Sequence, residues 1–191
     1  LLGGFSVLTC LFLLYLRLSR YRIGFVDMRI KRYATFAALG IVVLVGQIAL
    51  GGWTSANYAA LACTEFPVCE GDWLNRIDMA GAYSVPEAAN YEYGAHDYAE
   101  RMTMHIVHRL GAVITFLYLG WLAISLYRRS ASQHLRNASV VLVLVLLAQV
   151  GLGISNVVFS LPLQVAVLHN AVAACLLLVL VLITYTLYRK V

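Results

Sequence analysis

Asn137–Tyr188 reads NASVVLVLVLLAQVGLGISNVVFSLPLQVAVLHNAVAACLLLVLVLITYTLY, without one Asp, Glu, Lys or Arg. A helix crosses a bilayer in about 20 apolar residues, so this stretch is too long for one crossing and long enough for two. Pro162 supplies the break, because proline lacks the N–H that a helix interior needs. Two spans are predicted, near 138–158 and 163–187. Outward from them, Tyr33–Trp53 and Leu110–Tyr127 are further uncharged runs of spanning length, and Leu1–Leu16 is an apolar run short of a full crossing. Strict apolar–polar alternation is absent, which argues against a barrel. Composition agrees: 62% of residues are hydrophobic, 12% are charged and mean hydropathy is +0.81. That charge fraction is about half that of a soluble domain. The fold class is all-α, a polytopic transmembrane four-helix bundle.

Charge gives the sidedness. Arg17, Arg20, Arg22, Arg29, Lys31 and Arg32 cluster after the first apolar run; Arg128, Arg129 and Arg136 lie in a short loop, and Arg189 and Lys190 at the C-terminus. Basic residues collect in cytoplasmic loops. All the acids except Asp27 fall between Glu65 and Glu100. The expected layout is the inner part of a truncated transmembrane helix over 1–18 and a cytoplasmic basic loop over 19–32. Three transmembrane helices follow across 33–191, with a large outer loop at 54–100 and a cytoplasmic C-terminus. The net charge of +5 is then a topology signal, and nothing supports a nucleic-acid partner. With no initiator Met and no basic segment before Leu1, the opening is not a signal peptide. The chain reads as the C-terminal part of a longer protein.

Cys63 and Cys69 lie in the outer loop, within ACTEFPVC. An oxidising compartment turns such pairs into disulfides, and Pro67 bends the chain between them; free thiols or a redox pair are the alternatives. Cys10 and Cys175 lie within apolar helix and are expected to be buried small hydrophobes.

Of the five histidines, His96 and His134 lie in charged loops and are expected to be solvated. His105, His108 and His169 lie near the outer ends of apolar spans, where an ionisable group is a functional candidate. His108 precedes Arg128 by 20 residues, and His169 precedes Arg189 by the same 20. At about 1.5 Å per residue the two stand at equal depth. Two imidazoles at one depth on separate helices suit the axial positions of a haem iron; packing histidines are the bland alternative. Gly111 and Ala112 follow His108 on its face, and Ala166 and Ala173 flank His169. Small residues there leave room for a flat macrocycle or allow close helix packing. Arg109 suits a propionate or reaches the outer headgroups. His105, one turn outward, is not assigned as a ligand. Gln149, Asn156 and Asn170 carry no message beyond hydrogen bonding between helices.

The chain also echoes itself. Gln47-Ile48-Ala49-Leu50-Gly51 resembles Gln149-Val150-Gly151-Leu152-Gly153, and Leu1-Leu2-Gly3-Gly4-Phe5-Ser6 resembles the small-residue stretch after His169. Such self-similarity marks duplicated helix pairs, and on it the residue before Leu1 would match His169.

Together, QIALGGWTSANYAALAC from Gln47 to Cys63, FPVC from Phe66 to Cys69, HRLGA from His108, QVGLGISN from Gln149 to Asn156, LPL from Leu161 and His169-Asn170 resemble the haem A synthase family, in order along nearly the whole chain. The resemblance implies half of a duplicated eight-helix membrane protein that oxidises a ring methyl of haem O to the formyl of haem A for cytochrome oxidase assembly. It implies a membrane haem-dependent oxidoreductase in a bacterial plasma membrane. This chain would be the half holding a b-type haem, with His108 and His169 as its axial ligands, Arg109 beside the cofactor and Cys63–Cys69 as the outer-loop pair. The catalytic residues, an acidic one among them, would lie in the preceding half, so none is expected here and this part alone should be inactive. The implied partners are haem O, lipid, and haem O synthase or a second copy of the chain. A b-type electron-transfer subunit is the alternative, since it uses the same bis-histidine chemistry, and a haem-free scaffold is the third class.

Overall fold

The computed structural model describes residues 1–19 and 28–188. Arg20, Arg22, Asp27, Arg189, Lys190 and the side chain of Arg29 lie outside the described residues, and with them much of the charge asymmetry and the C-terminus. The described residues are helical throughout their regular structure: α1 Leu2–Leu18, α2 Met28–Lys31, α3 Tyr33–Ala56, α4 Met79–Ala82, α5 Tyr98–Arg129, α6 Gln133–Val158 and α7 Leu163–Tyr188.

Four of these, α3, α5, α6 and α7, are long and apolar enough to cross a membrane. The region 33–191 thus holds four such helices where the domain layout gives three; the uncharged runs predicted there, with the stretch from Asn137 divided at Pro162, already number four, and the layout undercounts them. The turn between α6 and α7 is tight: Ser160 and Leu161 take positive φ, and the Leu161 N–H donates to Asn156 O at 2.7 Å.

The four long helices form a ring in the order α3–α5–α6–α7, each packed on the next. α5 and α7 therefore stand on one diagonal, α3 and α6 on the other. The 17-residue α1 lies outside the ring against α7 and α3, and the Tyr185 hydroxyl donates to Leu16 O at 3.2 Å. Far from the 57–97 loop the ring is filled by Ala37, Leu44, Leu119, Leu122, Leu126, Leu142, Leu146, Leu176, Leu180 and Ile183. Val42, Ile114, Leu117, Leu144 and Val167 are exposed on the perimeter, the surface that lipid covers in an integral membrane protein. Cys10 and Cys175 belong to that exposed surface rather than to the interior. Helical period puts them on outward faces, which apolar character alone does not reveal.

α5 is the longest element, with 32 residues, and starts well before its uncharged run. A capping box fixes the start: Glu100 N donates to Asp97 Oδ1 at 2.9 Å, and Asp97 N donates to Glu100 Oε2 at 3.0 Å. The loop packs on these first turns. Cys63, Cys69, Met102 and Ile106 form one apolar cluster with Ala62 and Trp73, and Ala59, Ala82 and Met104 form a second with Trp53. Trp53 Nε1 donates to Ala82 O at 2.9 Å, and Asp78 N donates to Thr103 Oγ1 at 3.0 Å. Gly94 makes the close return possible, with φ +84° and a position where a Cβ would stand 3.1 Å from Asn57 O. The acidic loop is thus a folded cap on the bundle.

Candidate functional site

The leucine core stops near Ile48, Leu146 and Ala173. Toward the loop, α5 and α7 contribute His108 and His169 from one diagonal, and α3 and α6 contribute Gln47 and Gln149 from the other. Gln47 Nε2 lies 3.0 Å from His108 Nδ1 and donates to His108 O at 2.9 Å. Gln149 Nε2 lies 3.2 Å from His169 Nε2. One helical turn beyond each glutamine sits a glycine on the same face. A Cβ at Gly51 would come within 2.8 Å of His108 Cε1, and one at Gly153 within 3.2 Å of His169 Cε1. Each histidine therefore has one amide partner and one glycine that clears its ring.

His169 Nδ1 and the Oε1 atoms of Gln47 and Gln149 are buried without hydrogen-bond partners. In an apolar surround such orphans are costly and mark a place prepared for further contacts. Among the described residues no group of three or more His, Cys, Asp or Glu converges. A bare ion would need such a cage; haem iron needs only two protein ligands, because the macrocycle fills the other positions. The residues present fit a haem.

The small residues beside the histidines have different roles from those expected. Gly111 faces Gln47 Oε1 rather than open space, so its lack of a side chain makes room for the amide. Ala173 belongs to the leucine core. The glycines that clear the rings are Gly51 and Gly153, and they and the glutamines carry no mark of residue type. Their one signal is the repeated Gln-x-x-x-Gly.

Arg109 neither reaches outward nor stands free. Its Nη1 donates to Glu65 O at 2.7 Å and Val68 O at 3.3 Å, its Nη2 donates to Cys63 O at 2.7 Å, and its guanidinium lies 4.6 Å from the Phe66 ring centre. The Nε–H has no partner. Cys63 and Cys69 are disulfide-bonded, with Cα atoms 4.8 Å apart. Glu70 closes the same loop by accepting from Thr64 N at 2.7 Å, from Glu65 N at 3.1 Å and from the Thr64 hydroxyl. Those bonds, the Thr64 hydroxyl first, hold its carboxyl below the usual carboxylate range. His105 is buried one turn from His108 toward the loop, with Nδ1 unpartnered. His96 is buried rather than solvated: it pairs with Glu100 Oε2 at 2.9 Å and packs edge-on against Trp53. His134 is exposed.

Comparison with known proteins follows the same lines. A family model for a cytochrome oxidase assembly protein, COX15-CtaA, matches residues 1–181. The chain is 50% identical to the haem A synthase of Shewanella oneidensis over 100% of its own length and 57% of that protein. It is 30% identical to the haem A synthase of a Chelativorans species over 77% of this chain and 37% of that protein. With the Rickettsia prowazekii haem A synthase the identity is 27%, over 79% of this chain and 42% of the relative. The chain thus spans little more than half of the first relative and about two-fifths of the others. No solved structure matches it significantly. With its helical bundle, a family match along nearly all its length and a haem A synthase relative at 50% identity over the whole chain, this protein belongs to the haem A synthase family of cytochrome oxidase assembly proteins.

Proposed function

We propose that this chain is the haem-holding part of a haem A synthase, and that His108 and His169 are the axial ligands of a b-type haem within it. The observation that carries the reading is the diagonal pair of imidazoles, each with its own amide and its own glycine-cleared space. When bound between these residues, a haem would supply one-electron redox chemistry. The chain's residues do the rest. His108 and His169 hold the group from opposite helices, the Leu119–Leu180 core closes one side against water, and the folded loop covers the other. Arg109 places positive charge beside His108 and keeps its Nε–H for a carboxylate such as a propionate.

A haem held by both histidines would leave this chain the part of electron transfer. The oxidation of a haem O methyl to the formyl of haem A belongs to the whole protein, with the reacting centre outside this chain. Transition-state stabilisation needs groups that touch the reacting atoms, and neither ligand histidine is free to do so. Its basic segments support a bacterial plasma membrane with a cytoplasmic C-terminus, and lipid, haem O synthase or a second copy are the partners this reading implies.

Spectroscopy of the haem-loaded protein tests the ligands. His108→Ala and His169→Ala should each lose the six-coordinate low-spin signature, and in the full-length protein each should abolish haem A among chromatographed haem extracts. His134→Ala should change neither. An unaltered low-spin spectrum in both histidine variants would refute the assignment.

A further inference from the structure

The glutamines are not accounted for by ligation. We infer that Gln47 and Gln149 are positioning residues for the two haem ligands, each setting the angle and donor strength of one imidazole; this rests on the ligand assignment proposed above. An imidazole that binds a metal through one nitrogen carries a proton on the other. In a dry bundle that N–H needs an acceptor, and the partner chosen tunes how strongly the ring donates to the metal. A glutamine amide offers both a donor and an acceptor at the end of one side chain. Here each amide meets a ring nitrogen through Nε2, a donor, and each still has a buried, unpartnered Oε1. Turned over, the amide offers that Oε1 to the ring N–H of a metal-bound imidazole, and Gln47 then gives up its bond to His108 O.

Ordinary inter-helix hydrogen bonding would not account for the rest of the arrangement. Each glutamine comes from a helix that carries no ligand, and each lies four residues before the glycine that clears the same ring. The arrangement occurs twice, from opposite corners of the ring. Gly111 adds a further fit on one side, where any side chain would strike the Gln47 amide. Each amide meets one ring only, Gln47 at Nδ1 of His108 and Gln149 at Nε2 of His169, so each acts on its own ligand.

The test compares Gln47→Leu, Gln149→Leu and the corresponding Glu variants in the haem-loaded protein, with Gln164→Leu as control. The readouts are midpoint potential and the electron paramagnetic resonance g-values of the oxidised haem. Each Leu variant should shift the potential upward and alter the g-values, because the ring loses an acceptor and donates less to ferric iron. Each Glu variant keeps an acceptor at the same reach and should lie below its Leu counterpart in potential; Gln164→Leu should match the parent. Parent-like potentials and g-values in both Leu variants would overturn the inference, as would Glu variants indistinguishable from Leu. If the Leu variants fail to load haem, loading restored by Glu supports it, and loss from both with helix content intact overturns it. Silent glutamine variants beside histidine variants that lose the low-spin signal refute only the positioning role. Histidine variants that keep that signal refute the ligand assignment itself.

Discussion

A methyl group at position 51 would stand 2.8 Å from the His108 ring, closer than carbon atoms pack, while at position 153 the gap to His169 would be 3.2 Å. At Gly120, nothing lies within 4 Å. The three positions therefore form a graded series. Gly51→Ala should cost about 1–3 kcal/mol through overpacking and, on the proposed ligation, should visibly weaken the low-spin spectrum by displacing His108. Gly153→Ala should do so less, and Gly120→Ala not at all; equal spectra for Gly51→Ala and Gly120→Ala would remove the cradle from the account. Depth counting from Arg128 and Arg189 singles out His108 and His169, because polar residues in apolar helix are few and their spacing is arithmetic. The glycines and glutamines are not legible in that way. A missing side chain has meaning only against the ring that would strike it, and that contact spans 57 residues of chain for Gly51 and His108.

Among the elements, α5 departs furthest from its sequence pattern. Glu100, Arg101 and Arg109 hide its first turns from any rule based on uncharged runs, yet those turns carry the loop and need no lipid-compatible surface. The Arg109 guanidinium joins this helix to the Cys63–Cys69 loop through three carbonyls and the Phe66 ring. Arg109→Met keeps apolar bulk and loses the donors. Taking about 2 kcal/mol for charge-assisted bonds of this kind, opening of the loop should become roughly 30-fold easier, read as faster reduction of the buried disulfide by a water-soluble phosphine. An unchanged reduction rate would show that the apolar cluster alone holds the loop. Acid should loosen the same loop. The Glu70 carboxyl is depressed in the folded state, so its contribution is complete above the ordinary carboxylate pKa and is lost as pH falls through the depressed value. Glu70→Gln should remove that step from a pH series of reduction rates.

For the molecule as a whole, sidedness depends on basic residues, several of them outside the described region, and it is directly testable. Val85 is exposed on the loop and Ala131 is exposed at the α5–α6 turn. With Cys10 and Cys175 replaced by serine, a membrane-impermeant maleimide should label Val85→Cys on intact cells and Ala131→Cys only after lysis; the reverse pattern would invert the topology. The bundle was legible from hydropathy because lipid demands uncharged faces, whereas the ring order was not, since it depends on which leucines meet. That order pairs α3 with α5 and α6 with α7 as two hairpins, each carrying one Gln-x-x-x-Gly helix and one histidine helix. In the language of valency, the hairpins are two weak receptors tied into one chain. Once the first imidazole has engaged iron, the second meets it at the millimolar effective concentration that short connections provide. Deleting one histidine forfeits that advantage along with a bond, so retention of the haem should fall by more than one lost contact accounts for.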